Sequence, residues 1–420
     1  MTSNLFSAPT ANGPIAGKLT IPGSKSLTNR EILLSAIATG ESILKKPLIS
    51  RDSELMLDAI KALGAEVIRT EDSLKITPAT FDKTATIHCG LAGTVMRFVP
   101  LVATLNKGQI TFEADKEAAA RPLSGVFDAL DQLAVEYEKG SASFPFTVSA
   151  VGEVDAKEVT LDASKSSQFV SALMLAAGRF EKGLVINHKG ESLPSIPHIE
   201  MTIKCLEDRG VKIHKQSKTS WKVEPAEIQS REITIEPDLS NAGAFLAGVM
   251  VTGGELEITD WPKQTTQVGN QYIKLLTQMG ASFEFTDDGL KISSNGEIHG
   301  INADLSEAGE LTPTIAALAV LADSPSELSG IAHLRGHETD RLKALSTEIN
   351  RIGGNAKETA DGLVITPNKL TGGQWLTYHD HRMATTGAII GLKTPIQIEN
   401  IETTAKTMPD FKQMWMGMVS

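Results

Sequence analysis

One unit recurs along this chain: a helix end, a glycine turn, a strand, a second turn and a second strand. It is read at Ala62-Leu63-Gly64-Ala65-Glu66-Val67-Ile68 running on to Ser73-Leu74-Lys75-Ile76, and again at Asp208-Arg209-Gly210-Val211-Lys212-Ile213. Gln278-Met279-Gly280-Ala281-Ser282-Phe283 continues to Gly289-Leu290-Lys291-Ile292, and Arg351-Ile352-Gly353-Gly354-Asn355-Ala356 continues to Gly362-Leu363-Val364-Ile365. A degenerate copy, Gln132-Leu133-Ala134-Val135-Glu136-Tyr137, has lost its glycine. The turn positions 64, 134, 210, 280 and 353 are 70 to 76 residues apart. Such self-similarity makes the repeat, rather than the single helix or strand, the unit that folds.

A second pattern interleaves with the first: a loop of small polar residues leading into an apolar helix. Its copies begin at Pro22-Gly23-Ser24-Lys25-Ser26, Leu91-Ala92-Gly93-Thr94, Ser164-Lys165-Ser166-Ser167-Gln168, Leu239-Ser240-Asn241, Glu310-Leu311-Thr312-Pro313 and Asp380-His381-Arg382-Met383. Alternating strands and helices at this period predict six α/β units. The last copy ends in a helix, Phe411-Lys412-Gln413-Met414-Trp415, with no strands after it. The segment near Ile15 to Ile21 is expected to complete that last unit. The chain then forms two domains, residues 24–236 and a discontinuous 1–23 plus 237–420, with crossings near Gly23 and Pro237. A plain solenoid would keep its helix starts uniform, whereas here they diverge and carry Lys25, Arg30, Arg97, Ser166, Gln168, Glu310 and Arg382.

The first helix start combines free backbone N–H groups, the positive end of a helix dipole, Lys25 and Arg30, which together favour an anion. It is not a nucleotide P-loop: Gly17 and Gly23 are six apart and Ser24 separates Gly23 from Lys25, against the required spacing. The net charge of -11 argues against nucleic acid or an anionic membrane as partner, so cations for a small anionic ligand must be concentrated locally.

Other chemistries fall away on spacing. The two cysteines, Cys89 and Cys205, lack metal or redox spacing and are expected to be reduced, buried thiols. His337-Glu338-Thr339-Asp340-Arg341 puts arginine where a zinc protease needs its second histidine, and His379 and His381 have no third ligand motif beside them. The N-terminus lacks a basic start and an apolar run, and no later run approaches a membrane span, so a cytoplasmic protein is expected.

Seven motifs, in order and across nearly the whole chain, resemble those of the 5-enolpyruvylshikimate-3-phosphate synthase family of enolpyruvyl transferases. They are Pro22-Gly23-Ser24-Lys25-Ser26, Ala92-Gly93-Thr94 with Met96-Arg97, Arg121-Pro122, Ser166-Ser167-Gln168-Phe169, Glu338-Thr339-Asp340-Arg341-Leu342, Asp380-His381-Arg382-Met383, and Ala405-Lys406-Thr407 with Pro409-Asp410. The resemblance implies two similar α/β domains, each of three βαβαββ units in an inside-out barrel, closing like a clamp. It implies transfer of the enolpyruvyl group of phosphoenolpyruvate to the 5-hydroxyl of shikimate 3-phosphate, in the shikimate pathway to chorismate and the aromatic amino acids. Neither metal nor organic cofactor is implied, and the partners are the two small substrates of a monomer.

Carried over by position, the resemblance gives Lys25, Ser26 and Arg30 the shikimate ring and its carboxylate. Ser166, Ser167 and Ser195 take the 3-phosphate, and Gln168 lies between the substrates. Arg121, Arg341, Arg382 and Lys406, with the Gly93 backbone and Lys25, bind phosphoenolpyruvate. Glu338 handles the proton at the methylene carbon and Glu310 accepts that of the 5-hydroxyl, so the catalytic residues are Glu310, Glu338 and Lys25. Two phosphates and two carboxylates bring about five to six negative charges, against which the motifs supply seven cations, Lys25, Arg30, Arg97, Arg121, Arg341, Arg382 and Lys406.

Some positions depart from the family pattern. Glu310 stands for the usual aspartate, and His337 for a lysine, which makes a phosphate contact in the charged form dependent on pH. Leu91, Phe98 and His198 also depart, and these bear on sensitivity to glyphosate, the family's inhibitor. Two other readings are open to test. The sister transferase acting on UDP-N-acetylglucosamine has a cysteine in the loop matching Glu113 to Arg121 and asparagine after the first lysine, but this loop has no cysteine and Ser26 follows Lys25. A non-catalytic binding protein would not need both Glu310 and Glu338.

Overall fold

The computed structural model describes residues 5–140 and 143–419; Met1 to Asn4 of the N-terminal segment read above lie outside them. One repeat shows the pattern in full. Strand Ala85–His88 leads through helix Gly93–Val102 to strand Lys107–Glu113, and helix Ser124–Gln132 leads to strands Glu136–Lys139 and Phe146–Val151. The first two strands pair in parallel, and Phe146–Val151 lies antiparallel between Lys107–Glu113 and Glu136–Lys139. The same order recurs around Leu184–His188 and around Ser326–Ser329.

The chain divides into two compact units, residues 23–235 and residues 1–22 with 236–420. Among the described residues each holds three sheets and a hydrophobic core of its own. Two of the repeats' first helices are apolar on nearly every side and buried: all nine residues of Thr312–Val320 are buried, as are all but the last of Leu239–Thr252. A helix of that kind has to lie inside, which leaves the sheets outside. The outermost strands, Glu136–Lys139, Ile213–Ser217 and Ser282–Phe285, are mostly exposed and carry charge or polar groups, which blunts them against pairing with other chains.

In two repeats the first strand comes from far along the chain. Glu232–Thr234 pairs in parallel with Ser42–Lys45, and Ile15–Leu19 pairs in parallel with Gly254–Thr259. The N-terminal strand therefore opens the unit of helix Leu239–Thr252 and does not complete the last unit, as its position had suggested. That completion falls to Leu5–Ser7, antiparallel to Ile396–Glu399 beside Gly373–Trp375. The physical reason is direction: the last sheet already had its parallel pair and lacked an antiparallel partner.

The repeated glycines close helix ends in the left-handed region, with φ of 100° at Gly64, 86° at Gly210, 111° at Gly280 and 90° at Gly353. Ala134, in the copy that lost its glycine, is forced to φ 54°. Cys89 and Cys205 are buried free thiols, and burial pushes Cys89 up to about 12 and Cys205 well above its ordinary value. No helix among the described residues is long and apolar enough to cross a membrane.

Candidate functional site

In the unit of residues 23–235 the predicted residues gather at helix starts. Ser24 caps helix Lys25–Ala36, its hydroxyl accepting the Leu27 N–H at 3.4 Å. Lys25 Nζ lies 3.5 Å from Asp52 Oδ2. Arg30 is only 2% exposed; it donates to Thr202 Oγ1 at 2.8 Å and to the carbonyls of Ser26 and His198, each at 3.0 Å. Those bonds pin the Ser26 end of its helix to helix Ile196–Glu207, which follows Ser195 at φ 55°. Arg30 fastens together the two helix starts that carry Ser26 and Ser195.

Neighbouring starts are joined in the same way. Asn29 Nδ2 donates to Thr94 Oγ1 at 2.7 Å, linking the first helix to Gly93–Val102. Arg97 donates to Gln168 Oε1 at 2.7 Å and to the Pro122 carbonyl at 3.2 Å. A Cβ at Gly93 would stand 3.1 Å from Arg97 and 3.5 Å from Gln168, so glycine there leaves this bond its space over the helix start. Arg121 donates to the Leu91 carbonyl at 2.6 Å. Burial, and then repulsion from Arg121, pushes the Arg97 guanidinium down to about 10. The Ser166 hydroxyl accepts the Gln168 N–H at 3.3 Å, and buried Ser167 immediately precedes helix Gln168–Ala177. A carboxylate or phosphate would find N–H groups, hydroxyls and cations here.

The other unit gathers its cations around two carboxylates, Asp380 and Glu338. Helix Arg341–Arg351 starts at Arg341, which grips both oxygens of Asp380, Nε to Oδ2 at 2.8 Å and a terminal nitrogen to Oδ1 at 3.1 Å. Asp380 in turn caps helix His381–Gly391 by accepting the Arg382 N–H at 2.8 Å. Glu338 lies between His381, 3.1 Å from Oε2, and Lys406, 2.5 Å from Oε1. Burial pushes Glu338 up, but His381, Lys406 and Arg341 outweigh it and hold the carboxyl well below the usual carboxylate range. Asp380 is held down likewise, by Arg341 against burial.

Glu310 accepts the Ser240 hydroxyl at 2.5 Å, and the Ser240 carbonyl accepts from Arg382 at 2.7 Å. His337 faces solvent on one side, with Nδ1 3.5 Å from Arg341. Burial and the Arg341 charge push its imidazole down from the ordinary value, and with solvent still reaching the ring the Arg341 charge is the stronger reason. This differs from the charged phosphate contact expected at that position: beside Arg341 the ring is neutral near pH 7.

Asp380, His381 and Ser240 sat inside quoted motifs without roles; only their contacts with Arg341, Glu338 and Glu310 reveal them. Glu338, Asp380 and His381 place ligand atoms within 4.8 Å of one another, the spacing of a metal site. The donor set suits a cation poorly, because Lys406 and Arg341 already neutralise both carboxylates.

A model of the EPSP synthase family, 3-phosphoshikimate 1-carboxyvinyltransferase, matches residues 9–415. A 3-phosphoshikimate 1-carboxyvinyltransferase of Kocuria rhizophila is 49% identical over 430 residues, 99% of this chain and 97% of the relative. An EPSP synthase from Acinetobacter baumannii superimposes with a TM-score of 0.83 at 22% identity, over 99% of this chain and 98% of its own. The enolpyruvyl transferase NikO from Streptomyces tendae does so at 0.75 and 13%, over 99% and 97%. The α/β fold is thus that of the enolpyruvyl transferases, and the chain belongs to the EPSP synthase family.

Proposed function

We infer that this chain transfers the enolpyruvyl group of phosphoenolpyruvate to the 5-hydroxyl of shikimate 3-phosphate, releasing phosphate. The family and the 49% identical relative support the reaction. The observation that carries the chemistry is Glu338, kept ionised between His381 and Lys406.

The product keeps a carbon–carbon double bond, so addition must precede departure. As the 5-oxygen bonds to C2, the methylene carbon gains a proton; as the C2–phosphate bond breaks, that carbon gives a proton up. One group at the methylene can serve both steps, first as acid and then as base. Glu338 suits this because its protonation is set by neighbouring charges. When the carboxylate and phosphate of phosphoenolpyruvate claim Arg341 and Lys406, two of the cations holding Glu338 down are compensated, its pKa climbs, and it takes up from solvent the proton that it then gives to the methylene carbon. Glu310, oriented by Ser240, accepts the proton of the 5-hydroxyl.

The remaining roles follow the same reading. The unit of residues 23–235 takes most of shikimate 3-phosphate through Lys25, Ser26, Arg30, Ser166, Ser167, Gln168 and Ser195, with His337 and Glu310 added from the other unit. Phosphoenolpyruvate is held by Lys25, Gly93, Arg121, Gln168, Arg341, Arg382 and Lys406. The enzyme works as a cytoplasmic monomer, which size-exclusion chromatography checks.

Purified protein given both substrates without added metal is expected to release inorganic phosphate. Release with UDP-N-acetylglucosamine in place of shikimate 3-phosphate, and none with the latter, overturns the assignment. Glu310→Ala is expected to lose turnover far more than substrate binding, and equal losses remove its role as base.

A further inference from the structure

Glu348 has a side chain with no exposed surface, and the reaction described above gives it no task. It lies seven residues after Arg341 in helix Arg341–Arg351, two turns on and therefore on the same face. Both residues grip one segment. Arg341 holds Asp380, and Glu348 holds the chain just before it: Oε2 accepts the Leu376 N–H at 3.0 Å and Oε1 accepts the Tyr378 hydroxyl at 2.6 Å. Arg351 donates to both oxygens of Glu348, at 2.9 and 3.1 Å.

Between the two grips lie Tyr378 and His379, consecutive residues in the left-handed region, at φ 53° and 58°. Neither is glycine, so each is disfavoured by its Cβ, and two in a row persist only where the surroundings over-determine them. The Asp380 N–H then turns back to the Thr377 carbonyl at 2.9 Å. The outcome is a sharp delivery of Asp380 to Arg341 and of His381 to Glu338. Burial and Glu348 push the Tyr378 phenol up to about 12, so it keeps the proton it donates.

We propose that Glu348, acting through Tyr378, is a positioning residue for phosphoenolpyruvate: it holds the left-handed Tyr378–His379 turn so that Asp380, His381 and Arg382 stand where the reaction needs them. The proposal rests on the reaction inferred above. The alternative is an ordinary buried contact, whose loss would weaken the fold without distinguishing the substrates.

Tyr378→Phe deletes one oxygen and Glu348→Gln keeps the volume of the side chain. Both are expected to raise KM for phosphoenolpyruvate about tenfold while KM for shikimate 3-phosphate stays within about twofold. Amide hydrogen exchange at residues 380–382 should quicken in both, with the amides of helix Arg341–Arg351 unchanged. An unchanged KM for phosphoenolpyruvate in folded Tyr378→Phe, equal rises in both KM values, or unchanged exchange at 380–382 overturns the proposal. Should Glu348→Gln fail to fold, Tyr378→Phe carries the test. Wild-type protein that releases no phosphate overturns the reaction instead, and the exchange measurement still decides whether Glu348 and Tyr378 hold the turn.

Discussion

Arg97 and Arg341 are both buried at the start of a repeat helix, yet their surroundings push them in opposite directions. Arg97 donates to a carbonyl and an amide oxygen, and burial with Arg121 nearby drives it down to about 10. For Arg341 burial acts downward too, but Asp380 outweighs it and raises the guanidinium above its ordinary value. The difference separates two uses of positive charge. Residues 23–235 keep Arg97 short of a counter-charge, which favours an incoming anion, while the other unit pairs its cations with Asp380 and Glu338 and so controls where a proton sits.

The hardest test of that division is Glu338→Gln. If the paired charges serve proton transfer, kcat should fall by about 10² to 10⁴ while KM for shikimate 3-phosphate changes little. Arg97→Met should show the reverse emphasis, a raised KM with a smaller change in kcat. Steady-state kinetics of both variants with each substrate varied would break the comparison if the two patterns matched.

Stability should divide along the same line. Arg341→Met leaves Asp380 buried without its partner and is expected to cost about 3 to 5 kcal/mol. In Arg97→Met, relief of a desolvated charge offsets the two lost bonds, so the ligand-free protein should change by no more than about 1 kcal/mol. Urea unfolding of both variants decides it, and equal losses would remove the distinction.

The pH profile sharpens it further. His333, His337 and His381 are all pushed below their ordinary value near 6.5, His333 and His381 chiefly by burial and His337 by burial together with the Arg341 charge. A depressed histidine is neutral in the folded state while the unfolded chain takes up its proton, so stability is full above about pH 7 and declines as pH falls below 6.5. Glu338 and Asp380, also depressed, contribute stability that is present above about pH 4 and is lost as pH falls further. Denaturant midpoints should therefore step down between about pH 7.5 and 5.5 and again between about pH 4 and 2.5. His337→Asn should shrink the first step. Affinity for shikimate 3-phosphate should not weaken from pH 6 to 8 on account of His337, because the ring is neutral throughout; a weakening that His337→Asn abolishes would restore the charged contact.

The repeat was legible because its signals are local: an apolar run long enough for a helix and a glycine where the backbone must turn left-handed. Leu5–Ser7 was not, since three residues show neither alternation nor direction, and only the sheet they complete identifies them. In the site, Lys406 and Glu338 could be picked out by motif, but nothing in the order of residues says that they touch across 68 positions. Charge state was harder still. His337 read as a candidate cation because histidine often is one, and what makes it neutral is an arginine four residues on whose orientation is set by Asp380.

The smallest expected effect concerns the turn that lost its glycine. Ala134 stands at φ 54° where Gly64, Gly210, Gly280 and Gly353 occupy the same place in their repeats. An L-residue in that region costs about 1 to 2 kcal/mol, while glycine gives back about 0.5 to 1 through the extra freedom of the unfolded chain. Ala134→Gly should therefore stabilise the protein by somewhere between nothing and about 1.5 kcal/mol. Because the turn lies in residues 23–235 and away from the helix starts, KM for both substrates should be unmoved. A loss of stability on introducing glycine would mean that the Ala134 methyl makes a contact worth more than its backbone strain, and that this repeat diverged for packing.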